Sequence, residues 1–314
     1  MLRIGTFEVL RPRSLDEALA MRSEYTRALW IAGGSDLVPK LKRAQFAPDA
    51  VISLAEIDGL EGVSRRDDTV RIGALTRLSA LERAPEIAAL TVLREATGVI
   101  ATPIIRSMGT VGGNLLQDTR CRYYDRGSFW RESLGSCLKI DAEVCRVATG
   151  GNRCFATLCS DLAPALAVLD ATATVVGEKG ARTVRVEELY SNDGAAPFTL
   201  DGDVLMHVDV LAHERFSRYR KFRIRDSFDF PEVGVAVAIE EHKAQLRVSV
   251  AVTAVAPSIP VFRENVSRDG LSQVEDTVYA AIKPMDTLFL PPAHRKSVAR
   301  NMLRRIFDEF RATG

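Results

Sequence analysis

The sequence predicts an α+β protein with a β-rich C-terminal third. Two glycine pairs, Gly33-Gly34 and Gly112-Gly113, sit in separate α/β units. Beyond a boundary near residues 205–215, alternating and continuous apolar runs point to an antiparallel sheet closed by two helices. Between the second glycine pair and that boundary, four of the five cysteines crowd into residues 121–154.

The elements follow in order. Ser14 with Glu17 forms a capping-box signal for a helix within 11–25, with Ala18, Leu19 and Met21 on its apolar side. Ala28–Ala32 reads as a buried strand running into Gly33-Gly34-Ser35-Asp36-Leu37 and then a helix through Leu41. Strand, glycine turn, helix is a layout that can cradle a phosphate, although the turn alone is equally well just a turn. Neither the Walker A pattern nor the three-glycine dinucleotide pattern is present. Ala50–Leu54 and Thr69–Ala74 read as strands, with Arg65–Asp68 as the turn before the second. Helical periodicity marks 78–84 and 85–97, Pro85 opening the latter and Gly98 ending it.

Thr110–Leu115 reads as a tight turn whose backbone N–H groups can approach a phosphate, because glycine carries no Cβ. Ser160 can cap a helix carrying Leu162, Ala165, Leu166 and Leu169. A hairpin over 171–186 and a strand at 204–211 follow. Then come β patterns at 218–225, 233–240 and 245–255, and helices near 274–282 and 293–310.

With 42 basic against 41 acidic residues the net charge is +1, which gives no sign of a polyanion partner such as nucleic acid. No apolar run approaches the roughly 20 residues of a membrane span. The opening Met1–Glu8 lacks the apolar core of a signal peptide, so the expectation is a cytoplasmic chain with reduced thiols.

Clustered cysteines in that setting are better read as ligands than as disulfides. The intervals between Cys121, Cys137, Cys145 and Cys154 fit neither the close pairs of structural zinc sites nor the common ferredoxin patterns. An iron–sulfur cluster, a zinc ion and unligated buried thiols therefore all stay open. The surroundings are polar and basic (Arg120, Arg122, Arg126, Arg131, Lys139, Arg146 and Arg153), and a metal would steady such a segment. The basic residues read as a solvated face or as a docking patch.

The four histidines do not cluster, and no Ser-His-Asp or Cys-His arrangement stands out. Asp36 and Asp161 each follow a serine at a helix start and suit either an N-terminal turn or a ligand hydroxyl. Lys221 reads most simply as an exposed strand residue.

Taken together, Ile31–Leu37, Arg71–Ala74, Ile105-Arg106 leading to Thr110–Asn114, Ser160–Leu166 and Tyr219–Arg223 resemble the FAD-binding medium subunit of the molybdenum hydroxylase (xanthine oxidase) family. The resemblance covers essentially the whole length. Ser35 departs from the commoner threonine but keeps the hydroxyl. That family usually brings the Gly-Gly-Asn turn close to the Ser-Asp helix, whereas here a cysteine-bearing insertion at about 117–158 separates them. The insertion, in Asn114–Tyr124 and Ser136–Lys139, is similar to that of the 4-hydroxybenzoyl-CoA reductase β subunit, where it carries a [4Fe–4S] cluster. Some bacterial aldehyde oxidoreductase flavin subunits also carry a cluster insert.

The resemblance implies a two-part FAD-binding domain of the vanillyl-alcohol-oxidase (PCMH) type over 1–210, with a small lobe at about 1–57 and a larger lobe at 58–210. A C-terminal α+β domain would occupy 211–314. It implies FAD held by Ile31, Ala32, Gly33, Gly34, Ser35, Asp36 and Leu37 and by Thr102, Thr110, Gly112, Gly113, Asn114 and Gln117. Asp161 would meet the ribityl or adenosine part, and Lys221 would lie near the isoalloxazine ring. Cys121, Cys137, Cys145 and Cys154 would ligate the [4Fe–4S] cluster, and Cys159 would not.

Electrons would pass between the cluster, FAD, a [2Fe–2S] small subunit and a molybdopterin large subunit, in a dimer of heterotrimers with ferredoxin as a candidate donor. No catalytic residue is expected on this chain. The most specific implied reaction is reductive dehydroxylation of 4-hydroxybenzoyl-CoA. The alternatives are oxidation of an aldehyde or N-heterocycle, or a zinc-binding scaffold. An insertion that can extend about 3.3 Å per residue is expected to carry its cluster outward, toward the surface.

Overall fold

Hydrophobic patterning sorts the chain into three sheets. A computed structural model describes residues 4–148, 150–200, 202–226, 228–243 and 245–313; Met1–Arg3, part of the N-terminal reading above, lie outside them. The first sheet is parallel, from β1 (Glu8–Leu10), β2 (Ala28–Ile31) and β3 (Ala50–Ser53) in the order β1-β3-β2. Helices α1 (Leu15–Ser23) and α2 (Leu37–Lys42) connect it. Ser14 Oγ accepts from the Glu17 N–H at 3.2 Å, while Glu17 reaches back to the N–H of Arg13 at 2.7 Å, one residue short of a full capping box.

The second sheet is antiparallel, from β4 (Val63–Arg66), β5 (Thr69–Gly73), β6 (Thr172–Gly177), β7 (Gly180–Arg185) and β8 (Val204–Leu211), in the order β4-β5-β8-β6-β7. Between β5 and β6 run α3 (Leu78–Arg83), α4 (Thr91–Gly98), α5 (Pro103–Arg106), α6 (Val111–Leu115), α7 (Ser128–Leu134) and α8 (Leu162–Val168). The third sheet, from β9 (Phe216–Phe222), β10 (Val233–His242), β11 (Gln245–Thr253) and β12 (Val261–Val266), is also antiparallel. Helices α9 (Leu271–Ala281) and α10 (Pro292–Ala312) cover it.

Alternation along β10 and β11 explains how the third sheet is sandwiched. Ala236, Ala238 and Ala251 face the core that also contains α4 and α8, where small side chains let helices approach closely. Val235, Val237, Ile239, Val248, Val250 and Val252 face the other way and pack with Leu303, Ile306, Phe307 and Phe310 of α10. Edge strand β9 is tied to α4, because Glu95 accepts from the Tyr219 N–H at 2.6 Å.

The expected α+β class holds, with local corrections. Arg65 and Arg66 belong to β4 rather than to the turn, which narrows to Asp67 and Asp68, with Asp67 at φ 52°. The helix expected over 85–97 is a 3-10 turn at Pro85–Ile87 followed by α4, since Leu90 leaves helical geometry at φ −94°, ψ 69°. Gly112 and Gly113 lie inside α6, capped by Thr110, rather than forming an open turn. The short strands β1 and β12 had no sequence signal above.

Leu303 is 1% exposed in the core between α10 and the third sheet. Leu303→Ala is expected to cost about 2–5 kcal/mol, read as a lowered denaturant midpoint in urea unfolding.

Candidate functional site

A cleft of about 680 Å³ opens between the first glycine loop, α2, α6 and the stem of the insertion. Its volume lies within the roughly 300–1,000 Å³ of typical ligand sites. The loop after β2 is built for close approach. A Cβ on Gly33 would stand 1.8 Å from the Met108 carbonyl oxygen, and Gly34 takes φ +69°. Among the described residues, no protein acceptor is bonded to the backbone N–H groups of 33–36, so they can be offered to an anion.

The second glycine pair is different. Val111 N–H donates to Thr76 O, Gly112 N–H to Ala74 O, Gly113 N–H to Thr110 Oγ1, and Asn114 N–H to Thr110 O. Those donors are used within the protein. What α6 offers is a bare surface: Gly113 is exposed, and a Cβ there would meet only Thr110 Oγ1.

Of the residues singled out from sequence, Ile31, Ala32, Gly33, Gly34, Ser35, Asp36, Leu37, Thr110, Gly113, Asn114 and Gln117 line the cleft. Asp36 is also structural: it pairs with Arg120 and accepts from the Asp118 N–H at 3.2 Å, tying the glycine loop to the insertion. Asn114 Oδ1 accepts from Ser160 Oγ at 2.8 Å and from the Leu162 N–H at 3.3 Å, holding the start of α8.

Four candidates are placed otherwise. Thr102 caps α5 and accepts from the Ile105 N–H at 3.3 Å. Gly112 lines a neighbouring apolar pocket instead. Asp161 and Lys221 do not line the cleft but face each other at 2.9 Å, each side chain about 4% or less exposed. Tyr219 donates to the other Asp161 oxygen at 2.6 Å, so the carboxylate is occupied, and Lys221 is far from an exposed strand residue. Sequence reading missed this pairing because β9 and α8 are distant in the chain.

The insertion is stapled shut at its base, where Arg120 and Thr157 exchange backbone hydrogen bonds at 2.7 Å. It folds back against the cleft rather than reaching outward. Gln45 donates to the Tyr124 carbonyl at 3.0 Å, and Arg131 donates to the Ala44 carbonyl at 3.4 Å. Cys121, Cys137 and Cys154 are buried, Cys145 is half-buried, and all four line one pocket with Tyr124 and Lys139. The space among them is about 10 Å³, room for about one water. Among the described residues no three His, Cys, Asp or Glu side chains are placed to hold a single metal ion, so the thiols surround the pocket without converging.

Burial pushes the thiols of Cys121 and Cys154 up to about 11, Lys139 pulling Cys154 the other way. Cys159 stands apart, fully buried with its thiol pushed up to about 12 by desolvation.

Tyr124 and Lys139 line the cysteine pocket and the cleft alike, which makes them a shared wall. Asp118 is held between Lys40 and Lys139 at 2.7 Å each. Burial would raise its carboxyl, but the two ammonium groups outweigh that and hold it below the usual range. The two lysine Nζ atoms lie 5.2 and 5.1 Å from the Tyr124 ring centre. Phe46, Phe228 and Phe230 also line the cleft, the last stacked 3.8 Å under the Arg120 guanidinium. Sequence reading missed these rings because they come from two loops, one after α2 and one between β9 and β10, that carry no motif.

Residues 5–210 match the family described as FAD binding domain in molybdopterin dehydrogenase. The aldehyde oxidoreductase FAD-binding subunit PaoB of Escherichia coli is 30% identical over 85% of this chain and 88% of its own length. The carbon monoxide dehydrogenase medium chain of Afipia carboxidovorans is 38% identical over 112 residues, which is 35% of this chain and 39% of that protein. The nicotinate dehydrogenase FAD-subunit of Eubacterium barkeri is 35% identical over 35% of this chain and 38% of its own. These last two matches thus span little more than a third of each relative. Among solved structures, a Cu,Mo-CO dehydrogenase superposes with a TM-score of 0.76 over 96% of both chains at 23% identity. Quinoline 2-oxidoreductase from Pseudomonas putida 86 gives 0.75 over 98% and 97% at 17%. At those identities the superpositions establish the fold alone.

Gly33→Ala would drive a methyl into the Met108 carbonyl and displace the loop. The variant is expected to elute from gel filtration without flavin absorbance, whereas wild type retains it.

Proposed function

This chain belongs to the family of FAD-binding domains of molybdopterin dehydrogenases, and from that premise we propose that it relays electrons between a four-cysteine cluster in its insertion and its flavin. It is the FAD subunit of a molybdenum-hydroxylase-family oxidoreductase. The cleft fits FAD: it has the volume, a glycine loop with free N–H donors, no side chain at Gly33 and several aromatic rings. Flavin, when bound, supplies the ability to exchange electrons in pairs or singly. In this reading residues 33–36 donate to the pyrophosphate, Gly113 keeps the surface of α6 open, and Phe228 and Phe230 keep water from one side.

The observation that carries the relay is the wall made by Tyr124 and Lys139, which borders the cysteine pocket and the cleft at once. Four thiols around a pocket suit a [4Fe–4S] group, with Cys121, Cys137, Cys145 and Cys154 as ligands. Loading requires the water-sized pocket to widen, and Cys145 is its least buried thiol.

The substrate reaction belongs to a molybdopterin large subunit, and electrons travel by way of a [2Fe–2S] small subunit, with ferredoxin as the outside partner and a dimer of heterotrimers as the assembly. The likeness of Asn114–Tyr124 and Ser136–Lys139 to the 4-hydroxybenzoyl-CoA reductase insertion supports reductive dehydroxylation of an aryl-CoA thioester. The match to an aldehyde oxidoreductase subunit over 85% of the chain favours a second reading, aldehyde oxidation.

Cys137→Ser is expected to lower iron by about four per chain, while Cys159→Ser leaves iron unchanged; metal analysis of both variants checks this. Because Asp118, Arg120, Tyr124 and Lys139 also line the cleft, Cys137→Ser should weaken flavin retention as well. Purified alone, the chain is expected to turn over neither an aryl-CoA nor an aldehyde. Assay of the isolated chain against both substrates checks that, and turnover of either would contradict the relay.

A further inference from the structure

Three buried cations gather at the Tyr124 ring: Lys40, Lys139 and Arg131, at 5.2, 5.1 and 5.8 Å from its centre. Lys40 is 1% and Arg131 6% exposed, and the Lys139 side chain is 4% exposed. Two carboxylates answer them. Asp118 is shared between the lysines, and Asp125, a quarter exposed, stands 4.0 Å from Lys40. Arg131 donates only to backbone carbonyls among the described residues.

Among the described residues, these three cations and two carboxylates leave the shell one positive charge in excess. An uncompensated buried charge is costly, and interiors avoid it. The cation left without a carboxylate is Arg131, while Lys139 is the one of the three that borders the cysteine pocket, its donors going to Asp118 at 2.7 Å, Thr119 Oγ1 at 2.8 Å and Gly194 O at 2.5 Å. All three of its N–H bonds are thus directed, which fixes the ammonium in place.

We propose that Lys139 is a positioning residue whose fixed ammonium balances the negative charge of a thiolate-bound group in the cysteine pocket and so raises that group's reduction potential. The inference rests on the reading of the four cysteines as cluster ligands. A fixed positive charge beside a cluster favours the reduced form, which is one unit more negative, and burial keeps solvent from screening the effect.

The test uses the complete complex with wild type, Lys139→Gln and Lys139→Arg. Iron content is measured first, then the midpoint potential of the cluster by redox titration followed by paramagnetic resonance. Lys139→Gln is expected to keep its iron and titrate at a lower potential than wild type, with Lys139→Arg close to wild type. Loss of iron in Lys139→Gln but not in Lys139→Arg also supports the charge role. A midpoint in Lys139→Gln that is unchanged or higher overturns it, as does equal loss of iron in both variants, which would mean that shape and not charge matters. An iron-free wild-type complex would instead overturn the cysteine reading itself, and this inference with it.

Discussion

One carboxylate, that of Asp118, holds the functional half of the molecule together. It lies between the ammonium groups of Lys40, on α2, and Lys139, deep in the insertion. Its backbone N–H reaches Asp36 in the glycine loop. Three segments far apart in sequence thus meet at one residue. Removing the carboxylate would leave two buried ammonium groups facing each other, a loss of about 3–5 kcal/mol for a broken buried pair. The insertion would then lose its ionic tie to α2, and the wall between cleft and pocket would lose its footing.

This junction explains why the insertion, although it departs from the chain at one side of the cleft, does not behave as a free arm. Its base is closed by the Arg120–Thr157 bridge, and its body rests on residues 44 and 45 after α2. Its polar, basic composition is used inward as much as outward: Arg131 and Lys139 are buried, and Arg120 lies over Phe230. A segment of this kind can border a cofactor cleft because charges that would repel are interleaved with Asp118, Asp125 and the face of Tyr124.

Much of the fold was legible because local signals agree with it. The Ser14 cap, the apolar runs of β2, β3 and β5, the 171–186 hairpin and the α10 stripe each report one element from neighbouring residues. Short edge strands such as β1 and β12 carry too few alternating residues to be read. The first glycine loop was legible as a cradle, since a missing Cβ is written in the sequence. The second was misread, because whether an N–H is free depends on Ala74 and Thr76, acceptors from a distant strand end. The pairing of Asp161 with Lys221 was not legible for the same reason: each satisfies the other across the join between α8 and β9. The rings of Phe46, Phe228 and Phe230, and the pairing of Lys40 with Asp118, are three-dimensional facts with no local period behind them.

The account stands on the cysteine pocket and the cleft being neighbours across Tyr124 and Lys139. A diffraction experiment on crystals of the assembled complex, with data collected at the iron absorption edge, tests that directly. The account predicts a compact anomalous peak among Cys121, Cys137, Cys145 and Cys154, with Tyr124 and Lys139 between it and flavin density in the cleft. A peak ligated by other residues, or flavin density on the far side of the molecule from the four cysteines, would contradict it.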